Sequence, residues 1–386
     1  MHTRAGGGAY TVTKHNLGEK LSLLAGGALL VDYTLTVAVS ISSGADAFIA
    51  AFPVLYHHKV LIACLLVAVI LILNLRGLTD SAAVLAYPVY LFIFGMIIVI
   101  GIGTFKVATG QAAPHIHAQA GTMVSGVTVF LLLRAFSSGA SSLTGIEAIS
   151  NAVMSFKSPA PKNAVKTLIA MGTILALMLV GIVGLSYWYG IVPKVQTTVL
   201  SQLAMHVLGQ NAAFYFIQAT TVLILILAAN TGFTAFPMLA ANMAQDKYMP
   251  HMFTVRGDRL GYSNSMIILG SIAIILIIVF KGQTESLIPL YATGVFIPFT
   301  LAQYGMVVKW VRTRPKGWLF KLSANAIGGI ITLLVFMIFL ITKFAQVWPI
   351  LIFLPLVVVG LLRIRTHYRD TVSYTHLRAH ETGRNL

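Results

Sequence analysis

Long apolar runs recur along almost the whole chain, and no other feature restricts its fold so severely. They cover about residues 21–50, 60–75, 82–107, 122–154, 164–190, 211–243, 264–280, 285–308, 323–342 and 346–362. A helix crosses the hydrocarbon core of a bilayer with ~20 apolar residues, so the pattern predicts roughly ten membrane spans. Composition agrees: 58% of residues are hydrophobic and 9% charged, against about 25% charged in a soluble domain. With a mean hydropathy of +0.87 the chain has too little polar surface to coat a water-soluble globule. The expected class is all-α and polytopic.

The formal net charge of +16 would point to nucleic acid in a soluble chain. Here the basic residues lie between apolar runs, where the positive-inside rule accounts for them without a nucleic acid partner. One set of connections carries Arg76; Lys157, Lys162 and Lys166; Lys247, Arg256 and Arg259; Lys309, Arg312, Arg314, Lys316 and Lys321; and Arg363, Arg365 and Arg369. The alternate set carries single lysines, Lys59, Lys106, Lys194, Lys281 and Lys343. The first set, and with it both termini, is therefore expected in the cytoplasm of a cell with a multi-pass inner-membrane protein. The single cysteine, Cys64, excludes an intramolecular disulfide and a cysteine zinc cage, and reads as core packing. The opening residues lack the apolar core of a signal peptide.

Both ends read as departures from a complete transmembrane domain. Residues 1–20, with GGGAYTVTK, look like the cytoplasmic end of a truncated span and its loop; no strand precedes the glycines and no GK[ST] follows, so they do not make a nucleotide loop. Residues 21–365 form the transmembrane core. Residues 371–386, in TVSYTHLRAHETGRNL, are polar and aperiodic and read as an artefactual, vector-derived tail.

The fourth run, residues 123–154, is interrupted by RAFSSGASSLTG and carries Arg134 and Glu147. Lipid cannot satisfy loosened backbone, so such a break belongs where it is buried or lines a wet cavity. Charges at this depth cost ~2.5–3.5 kcal/mol each on insertion scales. A helix broken at mid-membrane is a transporter device, its freed ends and carbonyls facing the cargo. The same string also suits a helix packing closely through Ser and Gly.

In LLVDYTLTVAVS, Asp32, Thr36 and Ser40 follow at i, i+4, i+8 and drift by only about 80° around a helix, so they share one face, with Tyr33 at its edge. A carboxylate with hydroxyls above it is a column of oxygen ligands of the kind hard cations take. The alternative is an Asp paired with a buried Arg, Arg134 being the natural partner, or capping a neighbouring helix. Thr144 and Glu147 share a face at i, i+3 beside the loosened carbonyls; burial raises a carboxyl pKa and a nearby cation lowers it, which would let Glu147 exchange proton for cation occupancy. Arg134 itself reads as structural. Tyr291 sits among Pro289, Gly294 and Pro298 in a run expected to be irregular, where its hydroxyl could ligate a cation or gate the cavity, or simply pack.

Other candidates are weaker. His115 and His117 lie in an outer loop without a third metal ligand. Asn230 and Thr231 suit interhelical hydrogen bonds better than a pathway. Asp46 reads as an interface residue. No HExxH, GxSxG or pair of hydrolytic carboxylates occurs, so an enzyme has no support.

GGGAY before a span, SSLTGIEAISN, SPAPKNAVKT and AANTGFTAFPMLAANMAQDKYMP resemble the amino acid–polyamine–organocation (APC) superfamily. LLVDYTLTVAVS, NLRGLTDSA, RAFSSGASSLTGIEAISN and PLYATGVFIPFTLAQ resemble its KUP/KimA-type potassium-importer branch, over about residues 6–365. The resemblance implies a LeuT-like fold of two inverted five-span repeats plus two further spans. The runs here correspond to spans three to twelve, the first span and most of the second being absent, with the broken helix as span six and Tyr291 on span ten. It implies potassium ligands at Asp32, Tyr33, Thr36, Ser40, Thr144, Glu147 and Tyr291. It also implies a homodimer in the full-length protein and a cytoplasmic domain binding cyclic di-AMP, which the tail replaces. The family's absent first span supplies part of the cation site, so this polypeptide alone is not expected to transport.

The expected function is potassium import by proton symport through alternating access, with no cofactor beyond the transported K+ and H+. The nearest alternative is a proton-coupled amino acid permease. It would want a site without a fixed acid, because Asp32 repels a zwitterion's carboxylate. A non-transporting scaffold or receptor would have no reason to carry acids in two separate spans.

Overall fold

The computed structural model describes residues 8–77, 82–111, 128–141, 153, 156–194, 197–255 and 262–382. In chain order the helices are α1 (Gly8–Leu17), α2 (Glu19–Ala51), α3 (Lys59–Leu75), α4 (Ala82–Ala108), α5 (Val129–Ala140) and α6 (Ala160–Trp188). There follow α7 (Val199–Leu208), α8 (Ala212–Gln245), α9 (Ser263–Val279), α10 (Thr284–Thr313), α11 (Trp318–Thr342) and α12 (Phe344–Thr382). Among the described residues eight helices are long and apolar enough to cross a membrane, and α5, α7 and α9 are shorter apolar ones. The ten apolar runs are thus the eight long helices together with α5 and α9. The protein is an all-helical, polytopic membrane protein.

Six of the other helices pack against α2. Its 33 residues reach about 50 Å, well beyond a bilayer's ~30 Å core. Most of its residues are buried, on every side of the helix, and small alanine, glycine and serine residues are interspersed with aliphatic ones. It packs most extensively along α8, next against α10, and also meets α1, α3, α9 and α12. Glycine sets the closest approach to α8: a Cβ at Gly232 would stand 2.7 Å from Val37 Cγ2 and 3.0 Å from the Tyr33 carbonyl oxygen. Small residues let backbones approach in this way where apolar side chains would hold them apart. Pro53 keeps the preceding residue out of helical geometry, and α2 ends at Ala51 with Phe52 as its cap.

Three apolar clusters fill the bundle. The largest joins α2 to α8, α9, α10 and α12. A second, built on Val99, Leu185, Leu203 and Phe214, joins α4, α6, α7 and α8. The third sets Ala140 of α5 against Phe296 of α10 and Phe339 of α11. Ion pairs tie the two ends. At one, Lys59 pairs with Asp46 at 2.5 Å and the Thr284 hydroxyl donates to the same carboxylate at 2.9 Å. At the other, Lys14 pairs with Asp246 at 2.5 Å, the Tyr10 hydroxyl donates to Asp246 at 2.6 Å, and Arg365 forks onto Glu19. The opposite ends carry members of the two charge sets that the connections define.

Four features differ from expectation or extend it. The run around Tyr291 is one continuous helix despite Pro289 and Pro298. Hydroxyl bonds from Thr293 to the Pro289 carbonyl (2.7 Å) and from Thr300 to the Phe296 carbonyl (2.8 Å), with packing on α2 and α11, hold it through both prolines. The backbone of α12 stays helical to Thr382, through most of the stretch set aside as a tail. α7 occupies a connection in which no helix was expected. α5 stops at Ala140, inside RAFSSGASS; residues 142–152 lie outside the described residues.

Candidate functional site

Asp32 lies in the middle of α2 with no exposed surface. An unbroken α-helical register places Thr36 and Ser40 above it on the same face, as the i, i+4, i+8 spacing requires. Ser40 is buried and Thr36 half-buried. The Thr36 hydroxyl donates to the Asp32 carbonyl at 2.9 Å. A hydroxyl has one hydrogen and two lone pairs, so the oxygen of Thr36 meets any further group only as an acceptor. That is the polarity a cation ligand needs.

Two neighbouring helices close on this turn of α2. A Cβ at Gly294 of α10 would lie 3.6 Å from Cα and Cβ of Asp32 and 3.7 Å from its nitrogen. On the α8 side, Gly232 rests on the Tyr33 carbonyl. Tyr33 is buried, and Tyr291 is half-buried against the same core cluster. Tyr291 and Gly294 stand at i, i+3 on α10, so they share the side of that helix that meets α2. Pro298 has no N–H, so the helical bond to the Gly294 carbonyl cannot form. The structure therefore brings Asp32, Tyr33, Thr36 and Ser40 onto one buried helix and sets Tyr291 on its neighbour. Thr144 and Glu147 lie outside the described residues.

Arg134 is not the partner of Asp32. It is exposed on α5, close enough to Lys343 that its charge, after burial, helps hold the Lys343 ammonium below its usual pKa. Lys343 donates instead to the Ser138 hydroxyl at 2.9 Å. Asn230 has the interhelical role expected of it, accepting from Asn74 of α3 at 2.6 Å in a buried bond. Thr231 is exposed and bonds within its own helix, to the Ala228 carbonyl. Cys64 is free and packs against the core. His115 and His117 lie outside the described residues.

Two contributors escaped the sequence reading. Gly232 was unremarked, although a glycine in the middle of AANTGFTAF is costly in a helix and so marks a close contact. Gly294 was read only as a source of irregularity. A hollow of about 410 Å³, lined by Tyr56, Lys194, Ser201, Gln202 and His206 together with Met205 and Phe214, opens beside Ala50 at the far end of α2. Ala50 is 18 residues from Asp32, about 27 Å along the helix, so this hollow is separate from the acid.

The sequence profile of the amino acid permease family matches residues 3–362. The chain is 58% identical over 364 residues to the potassium transporter KimA of Bacillus subtilis (strain 168). That similarity covers 94% of this chain and 60% of the relative, so the chain spans about 60% of the length of the curated protein it matches. The profile match over nearly the whole chain, with the 58% identity over 94% of it, shows the family: the chain belongs to the amino acid permease family of the APC superfamily.

Proposed function

We propose that this chain is the transmembrane body of a transporter that carries potassium into the cell by symport with protons, through alternating access. The observation that carries the reading is Asp32, an acid without exposed surface in a membrane-spanning helix. Such a group is costly unless a cation, a proton or a hydrogen-bonding partner answers its charge. The relative at 58% identity is a potassium transporter, which favours a monovalent cation as the cargo. Asp32 binds the ion with Tyr33, Thr36, Ser40 and Tyr291, and Thr144 and Glu147 complete the set. Glu147 carries the proton. The site opens in turn to the cytoplasm, where both termini lie, and to the outside of the cell membrane. The whole protein acts as a homodimer.

The family description favours amino acid uptake as the rival reading. Asp32 argues against it, since the carboxylate of a zwitterion would meet a fixed negative charge. The test is growth of a potassium-uptake-deficient bacterium at low potassium with the complete gene. Rescue that disappears with Asp32→Ala supports the proposal, and rescue that survives removes Asp32 from the site. Saturable uptake of a labelled amino acid without potassium rescue would establish the rival.

A further inference from the structure

We propose that the hairpin joining α10 to α11 is a binding site for the phosphodiester headgroup of an anionic bilayer phospholipid. α10 ends at Thr313 and α11 begins at Trp318, so the turn is short, with Arg314 (φ 40°) and Gly317 (φ 73°) in left-handed geometry. Lys309, Arg312, Arg314, Lys316 and Lys321 are all exposed on or beside it. Two indoles hold three of these cations in place. The Lys309 and Lys321 ammoniums stand 5.3 and 5.1 Å from the centre of the Trp310 ring, and the Arg314 guanidinium lies 5.6 Å from that of Trp318. Lysines from two helices thus converge on one ring, within about 10 Å of each other, roughly a Debye length. Among the described residues none of the five cations pairs with a carboxylate, whereas Lys14 and Arg365 at the same end of the bundle pair with Asp246 and Glu19. Like charges gathered so closely attract an anion from outside the chain.

Depth and charge select the occupant. The 25 residues of α11 reach about 37 Å, against a ~30 Å hydrocarbon core, so its ends extend only into the headgroup layers. Lys309 and Lys321 sit about one turn back from the hairpin, and their long stems let the ammoniums snorkel to headgroup level. Trp310 and Trp318 suit the same boundary. Leu319 and Phe320, directly before Lys321, are 63% and 81% exposed, an apolar surface that suits acyl chains and not water. Lipid phosphate is the anion already present at that depth, and a soluble acidic segment would have to push headgroups aside to reach it. A second copy of this chain is a poor partner: it carries 26 Lys and Arg against 10 Asp and Glu, and Glu19 and Asp246 at this end are already paired. Basic clusters beside a span bind anionic lipid on these grounds. α10 also carries Tyr291 and Gly294, so a lipid held here tethers one end of the helix that closes on Asp32.

The test titrates dioctanoyl phosphatidylglycerol into the full chain in a neutral detergent and counts bound lipid by native mass spectrometry. The wild type is expected to bind it saturably and to prefer it to dioctanoyl phosphatidylcholine, whose headgroup is zwitterionic. Lys309→Gln/Lys321→Gln should raise the Kd about ten- to thirty-fold, the attraction of two lysines to a charged headgroup. Lys162→Gln/Lys166→Gln removes the same charge from α6 and should leave the Kd unchanged. Arg314→Gln/Lys316→Gln, in the turn outside both helices, repeats the test should the first variant fail to give a monodisperse protein. Equal weakening by the hairpin and α6 variants, or equal binding of the two lipids, overturns the proposal. So does glycerophosphoglycerol binding as tightly as the lipid, which would make this a site for soluble phosphate. A poly-glutamate peptide that outcompetes the lipid overturns it too, in favour of an acidic protein partner.

Discussion

The backbone of Asp32 rests directly against Gly294, with room for a methyl group and little more. A Cβ on Gly294 would stand 3.6 Å from both Cα and Cβ of Asp32, an ordinary van der Waals separation. Gly294→Ala should therefore fold and function like the wild type. Gly294→Leu should push α10 away from α2, lower stability by about 1–3 kcal/mol and abolish uptake. Thermal unfolding in detergent and rubidium-86 uptake by the complete gene product check both arms, and a defect in the alanine variant as deep as that of leucine would show the contact to be tighter than described.

Gly232 gives the contrasting case. There a Cβ would meet Val37 Cγ2 at 2.7 Å and the Tyr33 carbonyl oxygen at 3.0 Å, and the second of these is backbone that cannot swing aside. Gly232→Ala alone should cost about 1–3 kcal/mol, although alanine is the better helix former. A Gly232→Ala protein as stable as the wild type, by the same unfolding measurement, would contradict the close crossing of α2 and α8.

These two glycines show what the sequence could and could not disclose. Asp32, Thr36 and Ser40 were legible as one face because the helical period is local, and α2 keeps that period without interruption. Of the ten expected spans, the eight that are long enough were legible because bilayer thickness fixes their length. Which helices clasp Asp32 depends on packing between segments some 200 and 260 residues away in the chain, and no local pattern carries it. Arg134 illustrates the cost of guessing: opposite charge alone nominated it for Asp32, whereas the fold sets it beside Lys343. α7 had readable ends, since Thr198 accepts from the Ser201 amide at 3.0 Å and Gly209 follows the last turn at φ 78°. Its ten residues fell below the length that marks a span. The continuity of α10 was hidden for a different reason, because the hydroxyl bonds and neighbours that carry it past two prolines are tertiary.

The Asn74–Asn230 bond should prove modest. In a membrane the separated helices also find partners for their polar groups, so interhelical bonds average ~0.6 kcal/mol and reach ~1.7. A double-mutant cycle of Asn74→Ala and Asn230→Ala should yield a coupling in that range. Coupling indistinguishable from zero would mean that the 2.6 Å bond contributes nothing to holding α3 on α8.

Tyr10 ties α1 to the end of α8. The side chain is 1% exposed and its hydroxyl bonds the Asp246 carboxylate, a charge-assisted contact. Tyr10→Phe keeps the ring and removes only that bond, so the expected loss is about 1.5–3 kcal/mol, towards the lower end because Lys14 still pairs with Asp246. Unfolding of the variant at unchanged temperature would show the bond to be incidental.

Thr36 separates a ligand from a structural hydroxyl. If its oxygen served only the helix, Thr36→Val would be harmless, because a threonine bonding back to the carbonyl four residues earlier adds no stability and slightly strains the helix. If the oxygen also faces potassium, the isosteric valine removes one ligand from the shell around a dehydrated ion and leaves the fold intact. The expected result is therefore unchanged thermal stability with an apparent KM for rubidium-86 raised about ten-fold, equivalent to about 1.4 kcal/mol. Thr36→Ser restores the oxygen and should restore the KM. A valine variant with wild-type KM would leave Asp32 buried for some reason other than binding an ion through this column of oxygens, because Thr36 is the next residue on its face.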